Sequence, residues 1–530
     1  MRKKFLIKTF LIFICTIFIS LQLKVFANKK DNNVVAFVGN NIFESSLDPI
    51  KGAMSYGYPF INNALLKVDK NGKYIGDLAE SWKISDDGLK YTYKLKNNIK
   101  FSDGSKFDAD DVVFTYNLVK KNQGNNENVD LSQLKDAKKI DEHTVEFTLK
   151  KPYSPFFDVT SQLQIVPSDS YDSEKFDTMP IGTGAYKVIQ YDIDQQIILQ
   201  ENENYFEKKP KIKNITLVKM DSDTAFAKAK SGQIDIVMVS TSFSKEKLDS
   251  MNLEKFETMD VRNVSLPLLN EKEIKVDGKK IKVGNDVTSD IAVRKALSIG
   301  IDRQKIIDNA FNSIGKKATN FTNNLEWAAS FDIEDNQKDE AKKILEDSGW
   351  IDEDGDGIRE KNSVKCSFDL FALGDDEDRY KLAVALSKEA KKLGINIETK
   401  ISSWDEAKNI EYNSAVVWGW GQFSPTVLNN LYNSKKFMKE EYSNVVGFNN
   451  TLVDEKINQA ILSTDIENTN DLWKEVQNEA NKEYPYLFIA NIEHCYFIKN
   501  NLDISKDTQI PHPHGHGSPI ICNMKDWKWR

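Results

Sequence analysis

Three of the chain's five histidines alternate with proline and glycine in Pro511-His512-Pro513-His514-Gly515-His516-Gly517. Held extended by the prolines, His512, His514 and His516 present their imidazoles on one face, ~6–7 Å apart. That spacing lets all three contribute to one metal ion, and neutral imidazole suits nickel, copper and zinc. His494 and Cys495 join the set if the last segment returns to them. The plainer reading is a Pro/Gly-rich surface turn, because a histidine tract is evidence of composition only. Trp527 to Arg530 follow, so the tract is no terminal tag.

Val416, Trp418 and Trp420 alternate with Val417, Gly419 and Gly421, and Gln422 comes next. Period two sets both indoles on one face of a strand. Such a face suits a ligand contact, though buried tryptophan is as common in a plain core. Asp352, Asp354 and Asp356, with Gly357 at position six, match the opening of a calcium-binding loop of EF-hand type. Position twelve is Ser363, not the bidentate glutamate, and Glu360 at nine is a partial substitute. The expectation is a weak structural calcium site, with a plain turn after Gly349 as the equal alternative.

Nucleophilic chemistry finds little support. Ser242-Phe243-Ser244-Lys245 has the S-x-x-K spacing of acyl-serine enzymes, and Lys230-Ser231-Gly232 resembles their K-T-G element. The order is reversed, since in that mechanism the serine leads and the lysine-glycine strand comes last. No H-E-x-x-H, G-x-S-x-G or P-loop is present. The chain reads as a non-enzyme with no required cofactor.

Something must position these groups, and the pattern supplies strands and helices in alternation. Tyr91, Tyr93 and Leu95 alternate with Thr92, Lys94 and Lys96, a half-buried strand. Ser102-Asp103-Gly104 is turn chemistry. Asp108 caps a helix with Asp110 and Asp111 in its first turn and a stripe of Val112, Val113, Tyr116 and Val119. A helix around Ala341, Ile344 and Leu345 ends at Gly349. Another, from about Lys381 to Leu393, stops at Gly394, where Ile395, Ile397 and Thr399 begin a strand. Repeated βα units make the class α/β, or α+β with several lobes. At 530 residues, two or three lobes are expected rather than one core.

Composition narrows the class further. With 40% hydrophobic and 11% aromatic residues the chain is not disordered. A mean hydropathy of −0.50 excludes a polytopic membrane protein. The basic start (Arg2, Lys3, Lys4, Lys8), the apolar run Phe10 to Leu21 and Val25-Phe26-Ala27 have the layout of a secretory signal peptide over 1–27. Cys15 lies inside the apolar run and is not expected to carry a lipid. Removing five of the 72 basic residues with that segment leaves 67 against 80 acidic, a net −13 that disfavours nucleic acid. Cys366, Cys495 and Cys522 remain, too few for a disulfide scaffold, with Cys495–Cys522 the one bridge considered.

Several ordered stretches together resemble a known family. They begin with Leu78-Ala79-Glu80-Ser81-Trp82, Asp87-Gly88 and Tyr91-Thr92-Tyr93. Lys100-Phe101-Ser102-Asp103-Gly104 leads on to Phe107-Asp108-Ala109-Asp110-Asp111-Val112. Pro180-Ile181-Gly182-Thr183-Gly184-Ala185-Tyr186 comes next, with Asn202 to Tyr205 after it. Ser231-Gly232-Gln233-Ile234-Asp235 and Val293-Arg294-Lys295-Ala296-Leu297 with Ile301-Asp302-Arg303 complete the set. In collinear order from about Val34 to Asn500, the chain resembles the extracytoplasmic solute-binding proteins, family 5, of ABC importers for oligopeptides, dipeptides or nickel. Ala185 stands where the family has proline.

The resemblance implies a bilobal fold of the periplasmic-binding-protein type II kind with an extra domain in the first lobe. Lobe one is then 34–56, 181–264 and 496–530; the inserted domain is 57–180 and lobe two 265–495. The hinge falls near Gly182, Asn263 to Leu266 and Cys495. It further implies an exported monomer, in the periplasm or on the outer face of the cell membrane, that closes on a ligand and docks on an ABC permease with its ATPase subunits. The expected ligand is a peptide, and the alternative is nickel or a metal chelate. Peptide-binding relatives carry, after the tryptophan strand, an aspartate for the peptide's amino group; here the run is Gly421-Gln422-Phe423-Ser424-Pro425. Asp405 or Glu406 would have to stand in, so Trp418, Trp420, Gln422 and Asp405 are the expected ligand contacts.

Overall fold

The computed structural model describes residues 32–43, 46–52, 60–122, 126, 129–276, 278–321, 325–331, 333–374, 376–512 and 517–530. The expected signal peptide, His514 and His516 lie outside the described residues.

Runs of alternating and continuous apolar residues build one large sheet. Its strands in chain order are β1 (Asn33–Phe37), β2 (Tyr186–Asp192), β3 (Gln196–Glu201), β4 (Asn214–Val218) and β5 (Ile236–Val239). They continue with β6 (Met251–Ser265), β7 (Ser367–Leu373), β8 (Asn396–Ser402), β9 (Ala415–Trp420) and β10 (Tyr486–Lys499). Their spatial order is β8-β7-β9-β6-β10-β5-β1-β4-β3-β2, with a short strand at Lys316–Lys317 beside β10.

The long antiparallel pair β6/β10 belongs to both halves of the molecule. Met251–Glu257 pairs with Glu493–Lys499 in one half, and Val261–Ser265 pairs with Tyr486–Asn491 in the other. Between Glu257 and Val261 the register slips. Side chains replace the lost ladder bonds there: Thr258 Oγ1 donates to Ile492 O at 2.8 Å. Asn491 Nδ2 donates to Thr258 O at 3.0 Å and to Asp260 O at 3.1 Å. This irregular stretch lies just before Asn263, whereas Cys495 sits in regular ladder opposite Lys255.

Parallel trios flank the long pair, β5-β1-β4 on one side and β9-β7-β8 on the other. β5 runs antiparallel to β10, and β9 antiparallel to β6. The two trios therefore point their C-terminal ends at each other. Those ends are where open α/β sheets form ligand crevices.

A separate four-stranded antiparallel sheet lies outside the large one, made of Ala79–Ile84, Lys90–Leu95, Thr144–Leu149 and Leu134–Asp141. It has its own core of Tyr93, Tyr116, Phe147 and Phe156 beneath helix α1 (Ala109–Lys121) and the short helix α2 (Phe156–Gln162). α1 starts as its sequence predicts. Asp108 caps Asp110 N while Asp111 reaches back to Asp108 N, a reciprocal box worth about 1 kcal/mol. The whole is a mixed α/β, two-lobed fold with an extra domain.

Two expectations change. The helix placed from Lys381 instead begins at Glu377, as α3 (Glu377–Lys391), because Asp376 caps it and its acidic first turn hides its start. No Cys495–Cys522 bridge forms, and Cys366, Cys495 and Cys522 are free. Cys495 packs on the sheet face of Val237 and Phe497, while Ile520, Ile521 and Met524 pack on the opposite face with Tyr496. The two thiols stand on opposite sides of the sheet.

Candidate functional site

At the C-terminal end of β9, period two does what the sequence predicts. Trp418 and Trp420 share a face, opposite Asn263 and Val261 of β6, with ring centroids 5.6 Å apart. Their roles differ. Trp418 is core, buried, with its indole N–H donating to Ser265 Oγ at 3.0 Å. Trp420 is half-buried, and its Nε1 has no hydrogen-bond partner although it is shielded from water.

Two further aromatics extend this face. Helix α4 (Trp404–Ile410) is opened by a capping box between Ser403 and Glu406, which fixes Trp404 at its first position. Trp404 lies 6.3 Å from Trp418 and is 44% exposed. Tyr442, on a loop residue with φ 56°, is 5.9 Å from Trp418 and 6.4 Å from Trp404. Gln422 is half-buried just past the strand. Gly421 lets that turn press on β6, since a Cβ there would lie 1.4 Å from Met259 O.

Both acids expected to stand in for the missing aspartate lie in the first turn of α4. Glu406 Oε2 accepts from Ser403 N at 3.2 Å and from Ser402 Oγ at 2.9 Å, as part of the cap. Asp405 is exposed in the first turn of α4.

Beside the aromatics, buried charges tie β6 to the ends of the strand trios. Arg262 Nη2 lies 3.2 Å from Asp260 and 3.1 Å from Asp376. Arg379 Nε meets Asp376 at 3.1 Å, and its Nη1 donates to Val417 O at 2.7 Å. Burial alone would raise the Asp376 pKa, but Arg262 and Arg379 outweigh it and hold the carboxyl below its ordinary value. Asp378 is pushed up to about 6 by burial and by Asp376. Across the crevice, Thr241 Oγ1 donates to Asp378 at 3.2 Å, and Lys381 Nζ donates to Ser242 Oγ at 2.8 Å.

The inserted domain closes the other side. Ser154 donates through N and Oγ to Ile461 O and Ala460 O, both at 2.8 Å. Ser424 Oγ donates to Asp158 Oδ2, and Tyr74 OH donates to Asp158 Oδ1. Trp404, Tyr442, Arg262, Arg379 and Asp158 were all missed by sequence reasoning. Only Trp404 had a local signal, the S-x-x-E cap before it.

Of the histidine tract, only His512 is described. It is buried against Gly517, where a Cβ would lie 1.9 Å from its Nδ1. Ser518 Oγ donates to Val38 O at 2.7 Å, so this segment runs beside the C-terminal end of β1. Asp352, Asp354 and Asp356 are exposed, and their carboxylates offer oxygens within 4.8 Å of one another. Lys365 Nζ already pairs with Asp354 at 3.3 Å and with Asp356. That loop precedes the N-terminal end of β7, away from the crevice, as does a neighbouring surface cavity of about 600 Å³ lined by Lys342, Asp352, Arg359 and Lys392. Among the described residues, no helix is long and apolar enough to cross a membrane.

The model of the bacterial extracellular solute-binding proteins, family 5, matches residues 73–437. The oligopeptide-binding protein AppA of Bacillus subtilis is 27% identical over 498 residues, covering 89% of this chain and 88% of that one. The nickel-binding periplasmic protein of Escherichia coli is 25% identical over 464 residues, covering 84% and 86%. Among solved structures, NikA from Brucella suis in complex with Fe(III)-EDTA superposes with a TM-score of 0.79 at 21% identity, covering 94% of this chain and 100% of that one.

Proposed function

Because the chain belongs to the bacterial extracellular solute-binding proteins of family 5, we propose that it is the exported receptor of an ABC importer and that its crevice takes peptides. The observation that carries this reading is the half-open aromatic edge of Trp404 and Trp420 between the facing ends of two strand trios. An extended peptide there is held through main-chain hydrogen bonds, with aromatic faces and water taking up varied side chains. Trp420 and Gln422 are the proposed contacts, Trp418 backs them from the core, and Asp405 lies at the outer rim. The proposed lobes are 34–56, 181–264 and 496–530 against 265–495, with 57–180 as the inserted domain, and the irregular stretch Thr258–Asp260 absorbs the hinge motion. Closure then delivers the ligand to a membrane permease driven by ATPase subunits.

Native mass spectrometry of the protein purified without a histidine tag tests this. A spread of adducts at peptide masses is expected, lost on denaturation. Trp420→Ala weakens binding of such peptides about tenfold or more, as loss of one aromatic contact at the ligand's face predicts. Normal affinity in that variant removes Trp420 from the site.

The second reading is nickel or a metal chelate, and the observation favouring it is the burial of His512 beside the end of β1. It predicts a single metal-sized adduct. Replacing His512, His514 and His516 together would abolish stoichiometric nickel uptake in a titration; retained uptake removes the tract from the site.

A further inference from the structure

Asp158 is enclosed where two domains meet. It sits in the first turn of α2, on the inserted domain, and touches Ser424, which follows the Trp420–Gln422 edge on the other lobe. Each carboxylate oxygen takes one hydroxyl, from Tyr74 and from Ser424, and Ser424 Oγ is 2.7 Å from Thr426 Oγ1. A carboxylate offers about four acceptor positions, so two remain. Its other near titratable neighbour is Tyr153, and none of these groups carries charge near neutral pH.

What Asp158 lacks is a cation. Among the described residues no lysine, arginine or histidine forms a salt bridge with it, unlike Asp376 and Asp77. Asp376 has Arg262 and Arg379, and Asp77 has Lys67 at 3.3 Å. An enclosed carboxylate without a counter-charge is costly. Burial pushes its pKa up to about 6 although both hydroxyls pull it down. It is nevertheless half-buried rather than sealed.

We propose that Asp158 supplies the counter-charge for the ligand, its carboxylate accepting hydrogen bonds from a primary ammonium group such as a peptide's free amino terminus. This rests on the peptide reading. One carboxylate with two hydroxyl partners suits an ammonium with three donors; a bare divalent ion needs more ligands than are gathered here. The same contact links ligand capture to closure, because Ser424 and Asp158 come from opposite sides of the crevice.

The test is calorimetric titration with tetra-alanine and N-acetyl-tetra-alanine, after unfolding and refolding to strip bound cargo. The wild type prefers the free amine by about tenfold or more, the range of a charge-assisted hydrogen bond. Asp158→Asn binds both peptides alike, at the acetylated form's affinity, and is no less stable to heat without ligand. Ser424→Ala keeps the carboxylate and keeps the preference. A preference undiminished in Asp158→Asn overturns the assignment and leaves the peptide reading standing. Equal weakening toward both peptides with a lower melting temperature shows a structural latch and overturns it too. Binding of a nickel–histidine complex with no response to either peptide overturns the peptide reading and this inference with it.

Discussion

Arg262→Met lowers the unfolding free energy by about 3–5 kcal/mol at neutral pH, the range for removing one partner of a buried ion pair. The guanidinium lies between Asp260 and Asp376, in the β6 strand that both halves share. Methionine fills much of the volume, so the cost comes from two enclosed carboxylates left facing each other, not from a cavity. Arg379 still reaches Asp376, but it also holds Val417 O and cannot serve Asp260 as Arg262 does. The sign with pH follows from Asp376. A carboxyl held below its ordinary value stabilises the fold above that value and loses the effect as pH falls through its lowered pKa. In the variant that hold is weakened, so the deficit is fully present at neutral pH and shrinks in acid, as pH falls through the ordinary carboxylate range toward the lowered pKa of the wild type. Urea denaturation at several pH values reads this as a shifted midpoint with an unchanged slope. A variant as stable as the wild type at neutral pH would mean that the carboxylates are solvated.

Features set by neighbours in sequence were legible before any coordinates. The Asp108 cap, the strand at Ala415–Trp420 and the shared face of Trp418 and Trp420 follow from spacing alone. The split between those two tryptophans was not. Whether an indole meets Ser265 or an open edge depends on β6, which enters the sheet from another part of the chain. The charged cluster failed for the same reason. Nothing local marks Arg262 or Arg379, whose partners come together only where β6 and the start of α3 meet. Asp158 is the extreme case, because its partner Ser424 lies 266 residues away. Local chemistry also gave one residue two roles. Glu406, read as a stand-in ligand acid, also closes the capping box that makes α4 recognisable, through its Oε2.

Gly421→Ala damages both stability and ligand response, because the atoms it meets cannot step aside. Its Cβ would lie 1.4 Å from Met259 O and 2.4 Å from the carbonyl carbon, both main-chain atoms of the irregular stretch in β6. No rotamer change relieves a main-chain clash, so β9 and β6 must part at their Trp420–Val261 end. That pair anchors the half-buried indole, and Met259 belongs to the segment where the ladder slips. The cost is at the upper end of overpacking, about 3 kcal/mol or more. Two readouts separate the consequences. The urea midpoint falls, and the tryptophan fluorescence change on adding tetra-alanine disappears at concentrations that saturate the wild type. If Gly421→Ala bound and responded normally, β9 would be free to move against β6, and the close approach would not hold the aromatic edge in place.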